Sequence, residues 1–585
     1  MSNKHDLLED KKIPLNILFK RTWKYIAQEK GAFILSLLLI IVTVFLGVIL
    51  PRLTGYYTDY IASSAPKLNM ILILAFGALL LTLLTQLFVY LETMILTKAG
   101  QRIVYSLRMV VFEHIESMSQ NQFNDMSVGS LVTRVCNYTS QLSEFFTNVL
   151  VKIIKNLLTV IIVYIWMMVL SYKLAAVLSI VVVFIFIISY IFSINIHKVY
   201  TKERKQISDL NTYLNESISG MRIVQLFQQE KKFEKVFDKK NNDYFKTKYM
   251  VTIVFSGYRP LVSFIYIASI ALVIYFGCKY NLGVGVIVSF YLFLDFFFEP
   301  VQQLADQLNQ ITRAISAIER LYNLLDLEPE VVDTPEAIEV SHFNGKIEFS
   351  HVKFAYDNEN YILDDVSFVI NPGETAAFVG ATGAGKSTIL NLIVRNFEPQ
   401  SGHIYIDDID IKDIKLSSLR RLTGQMLQDV FLFSGTIKEN ITLFDDSYTD
   451  EEVWDAIKYV NADKFIEHLE NGLETKVIEK GENFSTGQRQ LLSFARTILH
   501  KPQIMILDEA TANIDTETEI AIQSSLNKIS NIGTMLVVAH RLSTIQNADQ
   551  IIVIDHGHIL EQGNHQELIA KQGYYYNLYK LQFDK

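Results

Sequence analysis

Gly380-Ala381-Thr382-Gly383-Ala384-Gly385-Lys386-Ser387-Thr388 is the stretch whose reading decides the fold. Its spacing is that of a phosphate-binding loop, G-x-x-x-x-G-K-[ST]. The flanks agree. Thr375–Val379 is short, apolar and strand-like, and 387–397 carries apolar residues at helical spacing. Glycines let successive backbone N–H groups approach a polyphosphate with no Cβ in the way, and the helix start adds partial positive charge. In such a loop Lys386 reaches the outer phosphates and the Ser387 hydroxyl binds Mg2+.

Working outward, 585 residues exceed what one core supports, so more than one domain is expected. Half the residues are hydrophobic, and they concentrate in the first 300 positions. A formal net charge of -9 gives no global basic surface, which excludes nucleic acid as the expected partner. Cys136 and Cys278 are too few for a disulfide framework or a zinc site and are expected to be packing residues in a reduced setting. The N-terminus mixes acids and bases and lacks a signal-peptide layout.

Residues 1–30 read as a tail and an interfacial elbow helix, with Leu15, Leu18, Phe19, Trp23 and Tyr25 set among Lys20, Arg21 and Lys24. Apolar segments follow at 31–50, 68–91, 156–172, 174–197, 260–278 and 280–294. A hydrocarbon layer about 30 Å thick needs about 20 helical residues. The last segment reaches that length only by continuing through Asp295 and Phe296-Phe297-Phe298. Basic residues gather on one side (Lys20, Arg21, Arg102, Arg108, Lys198, Lys202, Arg204), so both termini are expected to be cytoplasmic. The cytoplasmic connections, 98–150 and 198–258, keep helical periodicity. A helix from Leu68 to Ser117 would run about 75 Å, well past the bilayer, so the chain is expected to turn back deep in the cytoplasm. Turn residues near 123–134 and 215–221 are the expected docking points for the second domain.

The last span carries Asp295 and Glu299 on one helical face among aromatics. Either the carboxylates face a water-filled cavity that attracts a cationic substrate, or they are solvated near the cytoplasmic end while the aromatics pack. Composition then shifts. Residues 326–344 read as an acidic, proline-bearing linker, and from Gly345 short apolar runs alternate with helical stretches, an α/β signature.

With these motifs in place, residues 345–585 resemble the nucleotide-binding domain of an ABC transporter, and 13–325 the membrane domain of an ABC exporter. The resemblance implies an α-helical six-span transmembrane domain (31–325) followed by an α/β P-loop ATPase domain (345–585). It implies ATP and Mg2+ as cofactors, ATP-driven transport and a place in the cell membrane. It also implies roles. Tyr356 matches the aromatic that stacks on adenine. Gln428 matches the loop glutamine that reaches Mg2+ and the attacking water and contacts the membrane domain, with Gln425 a weaker rival. Asp508, ending the apolar run 504–507, matches the Mg2+ carboxylate, and Glu509 the general base. Asp515, in Asn513-Ile514-Asp515, belongs to the loop at the dimer seam, and His540 matches the switch histidine.

One motif departs from the family's Leu-Ser-Gly-Gly-Gln. Here it reads Phe484-Ser485-Thr486-Gly487-Gln488. Ser485, Gly487 and Gln488 remain, and the family uses them on ATP held by a partner chain. An intact Glu509 beside an off-pattern signature resembles the competent subunit of a heterodimeric multidrug exporter moving amphipathic compounds. A homodimer tolerating Thr486, a lipid flippase, a peptide exporter and a non-transporting regulator remain open.

Overall fold

The computed structural model describes residues 13–63, 66–356, 360–426, 430–508, 533–538 and 545–583, and positions 520, 522, 524, 525 and 528. The chain divides into two compact units. The first comprises Met1–Glu116 and Ser127–Leu327, the second Ser117–Met126 and Glu328–Lys585.

The first unit is helical. Leu15–Gln28 buries the stripe Leu18, Thr22 and Ile26 and exposes Leu15, Ile17 and Trp23 on its other side. An amphipathic helix divided this way lies along an interface. Lys30–Ile61, Leu68–Glu116, Val128–Leu170, Tyr172–Ser219 and Glu230–Lys279 are each long and apolar enough to cross a membrane. Leu68–Glu116 has 49 residues and Glu230–Lys279 has 50. At 1.5 Å per residue each runs about 75 Å, more than twice a hydrocarbon core of about 30 Å. Leu72, Ile73, Phe76, Leu79 and Leu83 are 57–67% exposed along Leu68–Glu116, a surface that only lipid solvates favourably.

The sixth long helix, Val284–Leu325, is continuous through Asp295, Glu299 and Pro300. Phe290, Phe293, Phe297 and Phe298 are buried against the neighbouring spans, so these aromatics are core. Asp295 is exposed and accepts a 2.8 Å hydrogen bond from the Tyr266 hydroxyl. At the other end of the span this helix meets Lys30–Ile61 backbone to backbone. The Gly285 N–H donates to Asp59 Oδ1 (2.6 Å) and the Ser289 hydroxyl to the Pro51 carbonyl (3.1 Å). Gly55 and Gly285 make this approach possible, because a Cβ on either would overlap the other's carbonyl.

Within 128–170, two π-helical turns, Arg134–Tyr138 and Phe145–Val149, interrupt the α repeat. Cys136 and Cys278, expected in the packing, are both exposed. Cys278 ends an apolar segment long enough to cross a membrane, and apolar helix surface turned toward lipid takes a thiol as readily as a core does.

The second unit is built on a six-stranded sheet in the order His558–Gly563, Gln550–Asp555, Thr375–Val379, Thr534–Val538, Ile504–Asp508, Thr423–Met426. All neighbours are parallel except the edge strand His558–Gly563. Thr375–Val379 is buried throughout, with Ala376 and Phe378 entering one core and Ala377 and Val379 the other. Strands covered on both faces read as unbroken apolar runs, which is why 504–507 lacks alternation. A second, antiparallel sheet follows the order Leu363–Ile370, Ile347–Phe354, Ser401–Ile406, Ile409–Asp410.

Residues 328–344 run along this unit bonded at several points. Ile338 N–H donates to the Asp413 carbonyl, Lys415 N–H to the Ile338 carbonyl, and Val340 N–H to the Ser418 hydroxyl.

Candidate functional site

In parallel α/β sheets, ligands bind beyond the carboxyl ends of the strands. Thr375–Val379 ends there and runs straight into the glycine-rich loop. Gly385 caps the helix Lys386–Ile393 with φ 108°, and a Cβ there would come within 2.7 Å of Leu363 Cδ2. Gly383, at φ 85°, has open space where its Cβ would be, as a loop that receives a ligand against its backbone requires. Gly380, Ala381, Thr382 and Ala384 complete the loop, and Ala384 is buried beneath it.

Lys386 is 7% exposed, and its ammonium donates to the Gly380 and Ala381 carbonyls at 2.8 and 3.0 Å. The Ser387 hydroxyl donates to Asp508 Oδ1 at 3.2 Å. These two residues stand 121 positions apart in sequence, and the fold brings their side chains together. A hydroxyl beside a carboxylate is an all-oxygen donor set, which suits a hard divalent cation such as Mg2+.

Tyr356 stands at the rim. Its ring meets Phe354 and Phe397 edge-on at 4.9 and 5.1 Å, and its hydroxyl lies 3.1 Å from Thr388 Oγ1. The ring stays 42% exposed, so a braced aromatic face is available for stacking.

Glu509, Gln428, Asp515 and His540 lie outside the described residues. The strands before Gln428, Glu509 and His540 are described, and they end in register: Met426 opposite Leu507, and Val538 opposite both Asp508 and Phe378. Gln425 sits inside its strand opposite Ile506, which gives it a place in the ladder.

The signature motif opens the helix Thr486–Leu499 through a capping box. Gln488 N–H donates to the Ser485 hydroxyl (3.2 Å) and Ser485 N–H to Gln488 Oε1 (3.0 Å). Gly487 is buried, whereas Thr486 is exposed and its hydroxyl accepts from Arg489 at 3.3 Å. The β-branch therefore sits on the outer side of the helix start.

Arg496, on the same helix, escaped the sequence reading. It donates to the Asn440 carbonyl at 2.8 Å and the Phe431 carbonyl at 3.2 Å, tying the signature helix to the segment after Gln428. Burial holds its guanidinium below the ordinary value. The available signal was an arginine among the apolar positions of a strongly amphipathic helix.

Both parts of the chain match known proteins. Residues 33–301 match the family model described as ABC transporter transmembrane region, and residues 363–512 the model described as ABC transporter. The chain is 39% identical over 553 residues to "Uncharacterized ABC transporter ATP-binding protein YknV" of Bacillus subtilis, covering 94% of this chain and 92% of that one. It is 36% identical over 523 residues to "Probable multidrug resistance ABC transporter ATP-binding/permease protein YheH" of the same organism, covering 88% and 77%. The solved structure of a bacterial Atm1-family ABC exporter with ATP bound superimposes with a TM-score of 0.79 at 25% identity, over 95% of this chain and 99% of that one. The long apolar helices make the chain a multi-pass protein of the cell membrane, and the ATP-binding unit is cytoplasmic. This chain belongs to the ABC transporters, as an exporter that fuses a helical membrane domain to an ATPase coupled to transport.

Proposed function

We propose that the chain is the catalytically competent half of an exporter that moves small amphipathic, drug-like compounds out of the cytoplasm or inner leaflet. The observation that carries this reading is the Ser387–Asp508 pair beside Lys386, a phosphate and cation cradle fused to helices that outrun a bilayer. The relative with a multidrug-resistance name supports the substrate class.

Bound ATP with Mg2+ supplies the transferable phosphoryl group. Lys386 and the loop amides of 380–386 hold and neutralise the polyphosphate. Ser387 and Asp508, with Gln428, hold the cation. Glu509 accepts the proton of the attacking water, Gln428 orients that water, and His540 donates a hydrogen bond to the terminal phosphate oxygens. Tyr356 stacks on the base. Ser485, Gly487, Gln488 and Asp515 act across the seam with the second half-transporter. Clamping of two such domains draws on the cytoplasmic turns and reorients the membrane helices. Inverting a 1:99 equilibrium requires about 5.5 kcal/mol, within reach of two buried triphosphates.

Thr486 within the signature, beside an intact Glu509, favours a heterodimer whose other chain carries the weaker base. The test is purification of the chain from its native membrane. A different half-transporter co-purifying in equal amount is expected, and a complex of this chain alone would replace the heterodimer with a homodimer.

A further inference from the structure

The first cytoplasmic turn, Ser117–Met126, joins two membrane helices in sequence but packs as part of the ATPase unit. Its hydrogen bonds explain this. Ser119 and Gln122 form a capping box on the short helix Gln120–Asn124. From that turn the Ser119 hydroxyl and the Asn121 amide both donate to Glu330 Oε2, at 3.0 and 3.3 Å. Gln122, 5% exposed, donates to the Glu328 carbonyl at 2.7 Å. The turn is therefore held by the stretch that begins the ATPase unit, not by a free tether.

Two residues beyond Glu330 the same stretch is held from the other direction. Arg395, 1% exposed, donates to the Val332 carbonyl at 2.8 Å and lies 3.5 Å from Asp333. Its remaining partners are Glu398 (2.7 Å) and the Ile411 and Ile414 carbonyls. Asp333 in turn accepts the Leu416 N–H at 2.9 Å. A buried guanidinium is tolerated only when its donors are satisfied, so Arg395 fixes the position of whatever it binds. It stands two residues past the end of Lys386–Ile393, the helix that the phosphate loop opens.

We propose that residues 328–333 are a transmission element, in which Glu330 grips the first cytoplasmic turn and Arg395 grips the same stretch from the phosphate-loop helix. Glu330 and Arg395 are positioning residues. Neither touches nucleotide, and both set how a shift of the Lys386–Ile393 helix reaches the helices on either side of 117–126. This route is separate from the one the resemblance assigns to Gln428. It rests on the nucleotide reading of the phosphate loop, and it joins groups bonded within one compact unit, the physical continuity that coupling requires.

The test is hydrogen exchange read by mass spectrometry on the full chain in lipid nanodiscs, with and without AMP-PNP and Mg2+. In the unaltered protein, nucleotide slows exchange in both 386–397 and 117–126. Glu330→Ala keeps the nucleotide effect at 386–397 and reduces it at 117–126 at least threefold. Glu330→Gln, which keeps an acceptor oxygen for Ser119 and Asn121, restores it, and Glu336→Ala, three residues beyond 328–333, leaves it unchanged. Glu330 is exposed, so these variants fold. A merely structural role raises exchange at 117–126 equally with and without nucleotide. That result, or a full nucleotide effect in Glu330→Ala, overturns the proposal. Loss of the effect at 386–397 in the unaltered protein would instead overturn the nucleotide reading itself, and the proposal with it.

Discussion

Lys386 holds its ammonium against two carbonyls of its own loop, a geometry that keeps the charge paired and the loop folded around it. Replacing these carbonyls by phosphate oxygens exchanges neutral acceptors for charged ones, which bind about twice as strongly. Lys386→Ala is therefore expected to weaken ATP binding by about 1.5–3 kcal/mol, about ten- to a hundredfold in Kd, measured by equilibrium binding of a fluorescent analogue. Unchanged affinity would count against the phosphate-loop assignment. This residue was legible because its chemistry is local: nine consecutive positions state the loop, the helix start and the cation ligand. Ser485 and Gln488 were legible through the family pattern alone, and the structure adds that they cap the helix they open. Arg395 and Glu330 were not. Their partners lie 63 and 211 positions away, and nothing near either residue in sequence points there.

Periodicity carried the long helices, because a rod with an apolar stripe repeats its message every turn. The stripe Ser36, Ile40, Val44, Val48, Pro51, Gly55 buries one side of Lys30–Ile61 as that spacing requires. What periodicity could not convey is the meeting of Gly55 with Gly285, which depends on two helices 230 positions apart sharing a face. Gly285→Ala is expected to destabilise the membrane unit by about 1–3 kcal/mol, the cost of overpacking a close contact, whereas Gly77→Ala, which meets open space, is not. Thermal unfolding in detergent separates the two. The helix Asp450–Tyr459 offers a pH test. Glu452 accepts the Thr449 N–H and hydroxyl, which hold its carboxyl below the ordinary 4.5. A depressed acid stabilises the fold above its unfolded value and loses that contribution as pH falls through the folded one. The unaltered protein should melt above Glu452→Gln at neutral pH, with the two curves converging in acid. The acidic stretch 326–344 looked like a tether because it lacks an apolar face. Its anchoring is by backbone and polar groups, which leave no hydrophobic pattern to read.

At the scale of the molecule, fusing the two units makes one carboxylate answer for both. Glu509→Gln is expected to leave ATP binding intact and lower turnover by about 10²–10⁴-fold, the range for loss of a general base, read as phosphate release from the assembled transporter. Near-normal hydrolysis would remove Glu509 from that role. The division into a membrane part and an ATPase part was legible from composition alone, and the docking turn expected near 123–134 overlaps Ser117–Met126, which packs with the second part. The rod from 128 to 170 holds a different lesson. At the start of the first wide turn Arg134 reaches the Arg320 carbonyl at 2.6 Å, and beyond both turns Lys155 and Asn156 reach Glu92 and Gln303 at 3.4 and 3.3 Å. A regular helix advances about 100° with each residue, and a wide turn absorbs one residue more than the regular repeat. The extra residue is thus taken up where it enters: removing a single residue within 145–149 would restore an ordinary turn and leave Lys155 and Asn156 facing their partners. The loss of one residue here would be felt within a single turn and not along the rod beyond it.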